Sequence, residues 1–198
     1  MTKDFKKKTK EKIKHLVKKI DLKLFTMKIS FGECTESDFE STCNLLLELW
    51  RKMSIRHYSL IYNYFLGFTR ELIFEIDGET LRPFLYILFF ADNKKLANIL
   101  KLKSHSFLSV VKASCLLDMN RELTIQDIMN YCNVSFDEVP AELYDKVIDD
   151  LLLPCIRIIK ENKQLEELVY TYQYNKQICS RSGIVSRKNL ERNVSLER

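Results

Sequence analysis

Glycine and proline are scarce: four and three in 198 residues, against ordinary shares of about 7% and 5%. β-Sandwiches and barrels place both residue types in their many turns, so their scarcity predicts long helices and few tight corners. No Cys-x-x-Cys, glycine-rich phosphate loop, Gly-x-Ser-x-Gly elbow or His-Glu-x-x-His helix is present, which removes the best-marked zinc, nucleotide and hydrolase classes. The three histidines, His15, His57 and His105, stand apart from any cysteine or acid at metal-ligand spacing. The longest apolar run, Phe84 to Ala91, is far short of the roughly 20 residues that cross a bilayer. Six cysteines without close pairs (Cys34, Cys43, Cys115, Cys132, Cys155, Cys179) read as reduced thiols of a cytosolic or nuclear protein.

What is present is charge, unevenly placed. The formal net charge is +5. Residues 1–28 hold eleven lysines against Asp4, Glu11 and Asp21, a net of +8. Residues 176–198 hold six Lys and Arg against Glu191 and Glu197, a net of +4, which leaves −7 for the body. Basic ends on an acidic body suit a protein that reaches phosphates with its termini and other proteins with its core. Solubility alone is the plain alternative. Lys6, Lys7, Lys8, Lys10, Lys12 and Lys14, with Arg187 and Lys188 near the other end, are the candidate contacts to RNA backbone.

Periodicity predicts helices throughout. Ile13, Leu16, Val17 and Ile20 recur at helical spacing, giving a basic amphipathic helix over 10–24. Ser37-Asp38-Phe39-Glu40 has the form of a capping box and opens a helix through Leu45, Leu46, Leu49, Trp50 and Met53. A second runs from about Ile55 to Phe74, apolar on more than one side. Gly78 reads as its left-handed terminus, with Thr80 capping the next helix ahead of Pro83. Helices are expected near 81–91, 93–102, 104–118, 124–132, 140–152 and 163–179. Apolar arcs this wide need neighbours on two faces. The expectation is therefore one all-α domain of stacked antiparallel helix pairs, a HEAT-like or irregular α-solenoid over 10–180. A flexible basic segment, 1–9, precedes it and a basic tail, 181–198, follows.

Catalytic groups are hard to find. Asp149 and Asp150 are adjacent, and helix neighbours diverge by about 100°, so a solvated face explains them. Asp137-Glu138 before Pro140 reads as loop. No active site, metal, cofactor or small-molecule substrate is expected, and no membrane partner.

The stretch from Gly67 to Leu88 resembles the ribosomal RNA-processing protein 1 family, nucleolar factors of large-subunit assembly. Arg70-Glu71 and Ile76-Asp77 stand near the family's Arg-Glu and Ile-Asp, with one residue inserted, and Leu81, Phe84, Tyr86 and Leu88 continue its apolar rhythm. Leu46 to Arg51 is similar to its Leu-x-Lys-Leu-Trp-Lys signature. Ser104-His105-Ser106-Phe107 lies where the family has a helix opening on a histidine, and Pro140 to Ile156 is similar to its closing helix. Leu72 replaces the family's tryptophan. The resemblance implies a non-enzymatic scaffold in pre-rRNA processing, nuclear and nucleolar. Its partners would be pre-ribosomal proteins and assembly factors, met through Trp50, Arg70, Glu71 and Asp77, and rRNA backbone, met through the basic termini. The alternative is a helical interaction module of another complex, such as a proteasome-lid or initiation-factor-like scaffold, or a viral host-binding protein.

Overall fold

A computed structural model describes residues 3–56, 58–95, 133–150, 156–175, 179–186 and 188–190. The predicted helices over 104–118 and 124–132, with His57, His105 and Arg187, lie outside them, as do Cys115, Cys132 and Cys155.

The first helix, α1 (Lys3–Ile20), buries Ile13, Leu16 and Val17 as their spacing predicts, but it begins within the segment 1–9 expected to be flexible and stops short of the predicted 24. Asp21 ends it in the left-handed region at φ 50°, and the Leu22 N–H donates back to the Val17 carbonyl over 3.0 Å, a common way for a helix to close. The chain then becomes strand β1 (Lys23–Ser30), whose Phe25, Met27 and Ile29 alternate onto one face. Helix α2 (Glu36–Arg56) follows. Its cap is Thr35 rather than Ser37, because the Thr35 hydroxyl accepts the Asp38 N–H at 3.3 Å.

After α3 (Tyr58–Tyr64) come two long strands, β2 (Gly67–Asp77) and β3 (Thr80–Ala91). They pair antiparallel over their whole length, Gly67 with Phe90 through Asp77 with Thr80. The turn is the two-residue loop Gly78-Glu79 with glycine first, at φ 63°. That geometry matches the right-handed twist of a hairpin. Gly78 closes a hairpin, not a helix.

The remaining elements are β4 (Asn133–Glu138), a 3-10 turn leading into α4 (Tyr144–Asp150), β5 (Ile156–Lys160), α5 (Lys163–Asn175) and β6 (Cys179–Gly183). The strands form one six-stranded sheet in the order β4-β1-β3-β2-β5. The outer edge of β2 is shared: β6 runs antiparallel along Gly67–Glu71, and β5 runs parallel along Phe74–Asp77. The all-α solenoid expectation is therefore overturned, and the fold is α/β. The predicted helix over 55–74 is helical as far as Tyr64 but becomes strand β2 from Gly67, and the one near 81–91 is strand β3. Central strands buried on both faces show continuous apolar runs without period-2 alternation, and this sequence pattern is easily taken for a helix apolar on several sides.

Helices cover both faces. On one, α2, α3 and α5 bring Phe39, Leu46, Trp50, Phe65, Val169 and others against Phe25, Phe74 and Phe89. Phe89 is wholly buried and stacks on Phe65 at 4.3 Å between ring centroids. On the other, α1 and α4 meet Leu24, Leu88 and Phe90. Each fully buried side chain of this size contributes about 1.5–3 kcal/mol.

Candidate nucleic-acid interface

Burial of Ile13, Leu16 and Val17 against the sheet fixes how α1 is rotated, and that rotation sorts its lysines into two stripes. Lys10, Lys14 and Lys18, four residues apart, face α4. Lys10 donates to the Asp149 backbone carbonyl, Lys14 pairs with the Asp149 carboxylate at 2.8 Å, and Lys18 reaches Asp145 at 3.4 Å. Asp149, set aside above as part of a solvated face, is a structural counterion. Its hydrogen bond holds the Lys14 ammonium above its ordinary pKa.

Lys8, exposed, and Lys12, half-buried, lie on another side of α1, whereas the exposed Lys7 stands two turns before Lys14 on the same stripe. Among the described residues, none of these three is held by the acids of α4. Lys6 belongs to the same helix. His15, the one described histidine, is exposed further along it.

Among the described residues, Lys188 of the C-terminal basic end comes to the apolar support of α1. Val185 and Leu190, flanking the exposed Lys188, are buried in the same apolar cluster as Ile13, Leu16 and Val17. The route is set by β6, which hands the chain from the β2 edge across to the α1 face. Gly67 and Gly183 face each other at that crossing. A Cβ on Gly183 would lie 2.1 Å from the Leu66 carbonyl oxygen, so only glycine fits.

Sequence reasoning missed two further cations on this face. The Lys28 ammonium sits 4.0 Å from the Phe84 ring centroid, and the Arg157 guanidinium carbon 5.6 Å from it, distances at which a ring attracts a cation. Beside them Tyr86 is half-buried, and burial raises its hydroxyl pKa. Phe84 is buried beneath its cations, so it anchors charge rather than offering a ring to stack on. Only strand register sets Lys28 of β1 beside β3 and lays Arg157 of β5 across β2 towards Phe84, and no local sequence signal reveals it. Asp137, exposed on β4, Asp150 at the end of α4, and Glu75 of β2, which shares Arg82 with Glu33, are acids near this patch.

The four candidate protein contacts are scattered over both sides of the sheet. Trp50, 3% exposed, packs edge-on to Phe68 at 5.0 Å, deep in the α2 layer. Glu71, 1% exposed, accepts from the Cys179 thiol at 3.6 Å on the opposite side of the sheet. Asp77 is at the hairpin corner, 4.0 Å from the Lys160 ammonium. Arg70 is buried under α2. The structure does not bring these four together.

The described thiols are poor nucleophiles, since burial lifts Cys34 to about 11, Cys179 to about 12 and Cys43 higher still. Among the described residues there is no group of three metal-ligating side chains and no helix long and apolar enough to cross a membrane. No protein-family model, no curated protein and no solved structure matches the chain.

Proposed function

We propose that this protein is a non-enzymatic RNA-binding factor that grips phosphate backbone through the α1 face of its sheet. The observation that carries the reading is that Val185 and Leu190, which flank Lys188, are buried in the same apolar cluster as Ile13, Leu16 and Val17 of α1. Termini that share a support offer their charge at a fixed spacing, and fixed cations lose less freedom on binding than two independent tails would. Lys28 and Arg157 on Phe84 extend the positive surface along the same side of the sheet. Contacts of this kind read backbone and shape, not base sequence.

The setting in large ribosomal subunit assembly, with nucleolar residence, rests on the resemblance alone. The segment that carries it is a β-hairpin here, so the helical scaffold it implies is not the means of action. The proposal is therefore made at the level of RNA backbone.

Replacing Lys7, Lys8 and Lys12 together by Gln is the direct test, with a single-stranded RNA titrated at several salt concentrations. Wild type should bind more weakly as salt rises. The triple variant should lose about two from the slope of log K against log salt, at roughly 0.7 per released counterion. An unchanged slope, or salt-independent wild-type binding, would end the proposal. Sedimentation with large-subunit precursors before and after RNA digestion tests the ribosomal setting separately.

A further inference from the structure

On the other side of the sheet, Arg70 poses a different problem. It leaves β2 beneath α2, is 9% exposed, and its Nε is fully buried with no hydrogen-bond partner. That nitrogen has lost its water, and no acid among the described residues replaces it, a condition in which proteins seldom keep a charged group. Burial pushes its pKa down, although a guanidinium stays charged at any ordinary pH.

The side chain is not sealed in. It lines an open groove of 730 Å³ along α2, together with Ser41, Asn44, Leu45, Leu47, Glu48 and Arg51. This volume is within the range of small-molecule sites, about 300–1,000 Å³. The chemistry of the lining is specific. Arg51 is already satisfied by Glu48, in a two-pronged pair at 2.8 and 2.6 Å. Asn44 is held by the Tyr172 hydroxyl at 3.1 Å. Among the described residues that leaves one positive charge without an acid, with Leu45, Leu47 and Ser41 completing the lining.

We propose that this groove binds a small monocarboxylate with an apolar body, its carboxylate meeting the buried Arg70 guanidinium. One negative charge matches the single excess positive charge, where a phosphate dianion would leave one charge buried and unmatched. A planar carboxylate fits the guanidinium edge through paired hydrogen bonds, and the leucines cover the remainder of the ligand. The site is on the face opposite the lysines of α1, so it is independent of the RNA contact and can be occupied alongside it.

Benzoate is a suitable probe, titrated into the full chain at constant ionic strength. It should raise the melting temperature saturably and shift the Arg70 Nε–H resonance, with chloride and inorganic phosphate doing neither. Arg70→Met should melt above wild type without ligand, since it removes an unmatched buried charge, and should lose the benzoate response. Ser41→Trp adds bulk to the groove lining and keeps Arg70, and should also lose the response, which decides the matter if Arg70→Met does not fold. A wild type indifferent to benzoate would overturn the proposal. So would a response that survives Ser41→Trp, an equal response to phosphate, or binding confined to an acidic peptide.

Discussion

Replacing Gly183 by Ala separates the route of the C-terminal chain from the rest of the fold. Gly183 has φ 63°, and a left-handed backbone costs a non-glycine residue about 1–2 kcal/mol. Its Cβ would also stand 2.1 Å from the Leu66 oxygen and 2.6 Å from the Gly67 Cα. Both are backbone atoms and cannot swing aside. To reach ordinary contact near about 3.5 Å, β6 must retreat from β2 by more than about 1 Å. The Ile184 N–H to Leu66 carbonyl bond, now 3.0 Å, would break along with a neighbouring ladder bond, at about 1 kcal/mol each. The total is about 3–4 kcal/mol, which lowers the melting temperature by about 6–16 °C at this chain length. Gly32→Ala is the matched control: its φ is 88°, but nothing lies within 4 Å of the added Cβ, so it incurs backbone strain alone. Hydrogen exchange should show residues 179–186 opening in Gly183→Ala and not in Gly32→Ala. RNA affinity should fall with them, since Val185 and Leu190 no longer hold Lys188 beside α1. Equal melting and equal protection in the two variants would refute the close-approach argument.

The acids of α4 should restrain RNA binding. Asp145→Asn with Asp149→Asn releases Lys14 and Lys18 from their carboxylates, so affinity for RNA should rise and its salt slope steepen by about one; filter binding that shows weaker association would contradict the two-stripe account. Phe89→Ala removes the centre of an aromatic cluster that includes Phe65, Phe68, Trp50 and Phe136, and urea unfolding should show a loss of about 3–5 kcal/mol. In the same experiment Trp50 should be blue-shifted and shielded from acrylamide in the native protein; a red-shifted, quenchable native Trp50 would return it to the surface. Alkali should destabilise the fold through its thiols. Burial, aided by Asp38 at Cys34 and Glu71 at Cys179, raises their folded pKa values from 9.0 to about 11 and about 12, so the folded state holds these protons more tightly than the unfolded chain. Their contribution is therefore complete below pH 9 and is lost as pH climbs from 9 towards 12. Denaturant midpoints that stay level from pH 8 to 11 would contradict it.

Some of this was legible without coordinates. α1 was marked by Ile13, Leu16 and Val17, and the helical stretch of α5 fell inside the predicted 163–179. The predicted cap of α2 was only two residues from the observed one. The strands were hidden for a common reason. β2 is buried on both faces along nearly its whole length, so period-2 alternation has no solvent side on which to show itself. Asp77-Gly78 is equally suited to ending a helix and turning a hairpin, and its neighbours did not distinguish the two. β1 does alternate, at Phe25, Met27 and Ile29, but Leu24 and the end of α1 obscure its start. The Arg70 groove had no sequence signal of its own, because an arginine among apolar residues looks alike whether it snorkels to water or is trapped.

The sequence by itself determined the amphipathic helices, the two basic ends and the scarcity of reactive groups, because each depends on residue type or on spacing within one element. Tertiary structure alone decided that Lys188 sits beside α1, that α4 occupies Lys10, Lys14 and Lys18, and that Arg70 lies buried without an acid among the described residues. Those facts depend on strand register and on a crossing of two glycines, contacts between segments more than a hundred residues apart, whose geometry is not set until the sheet has formed.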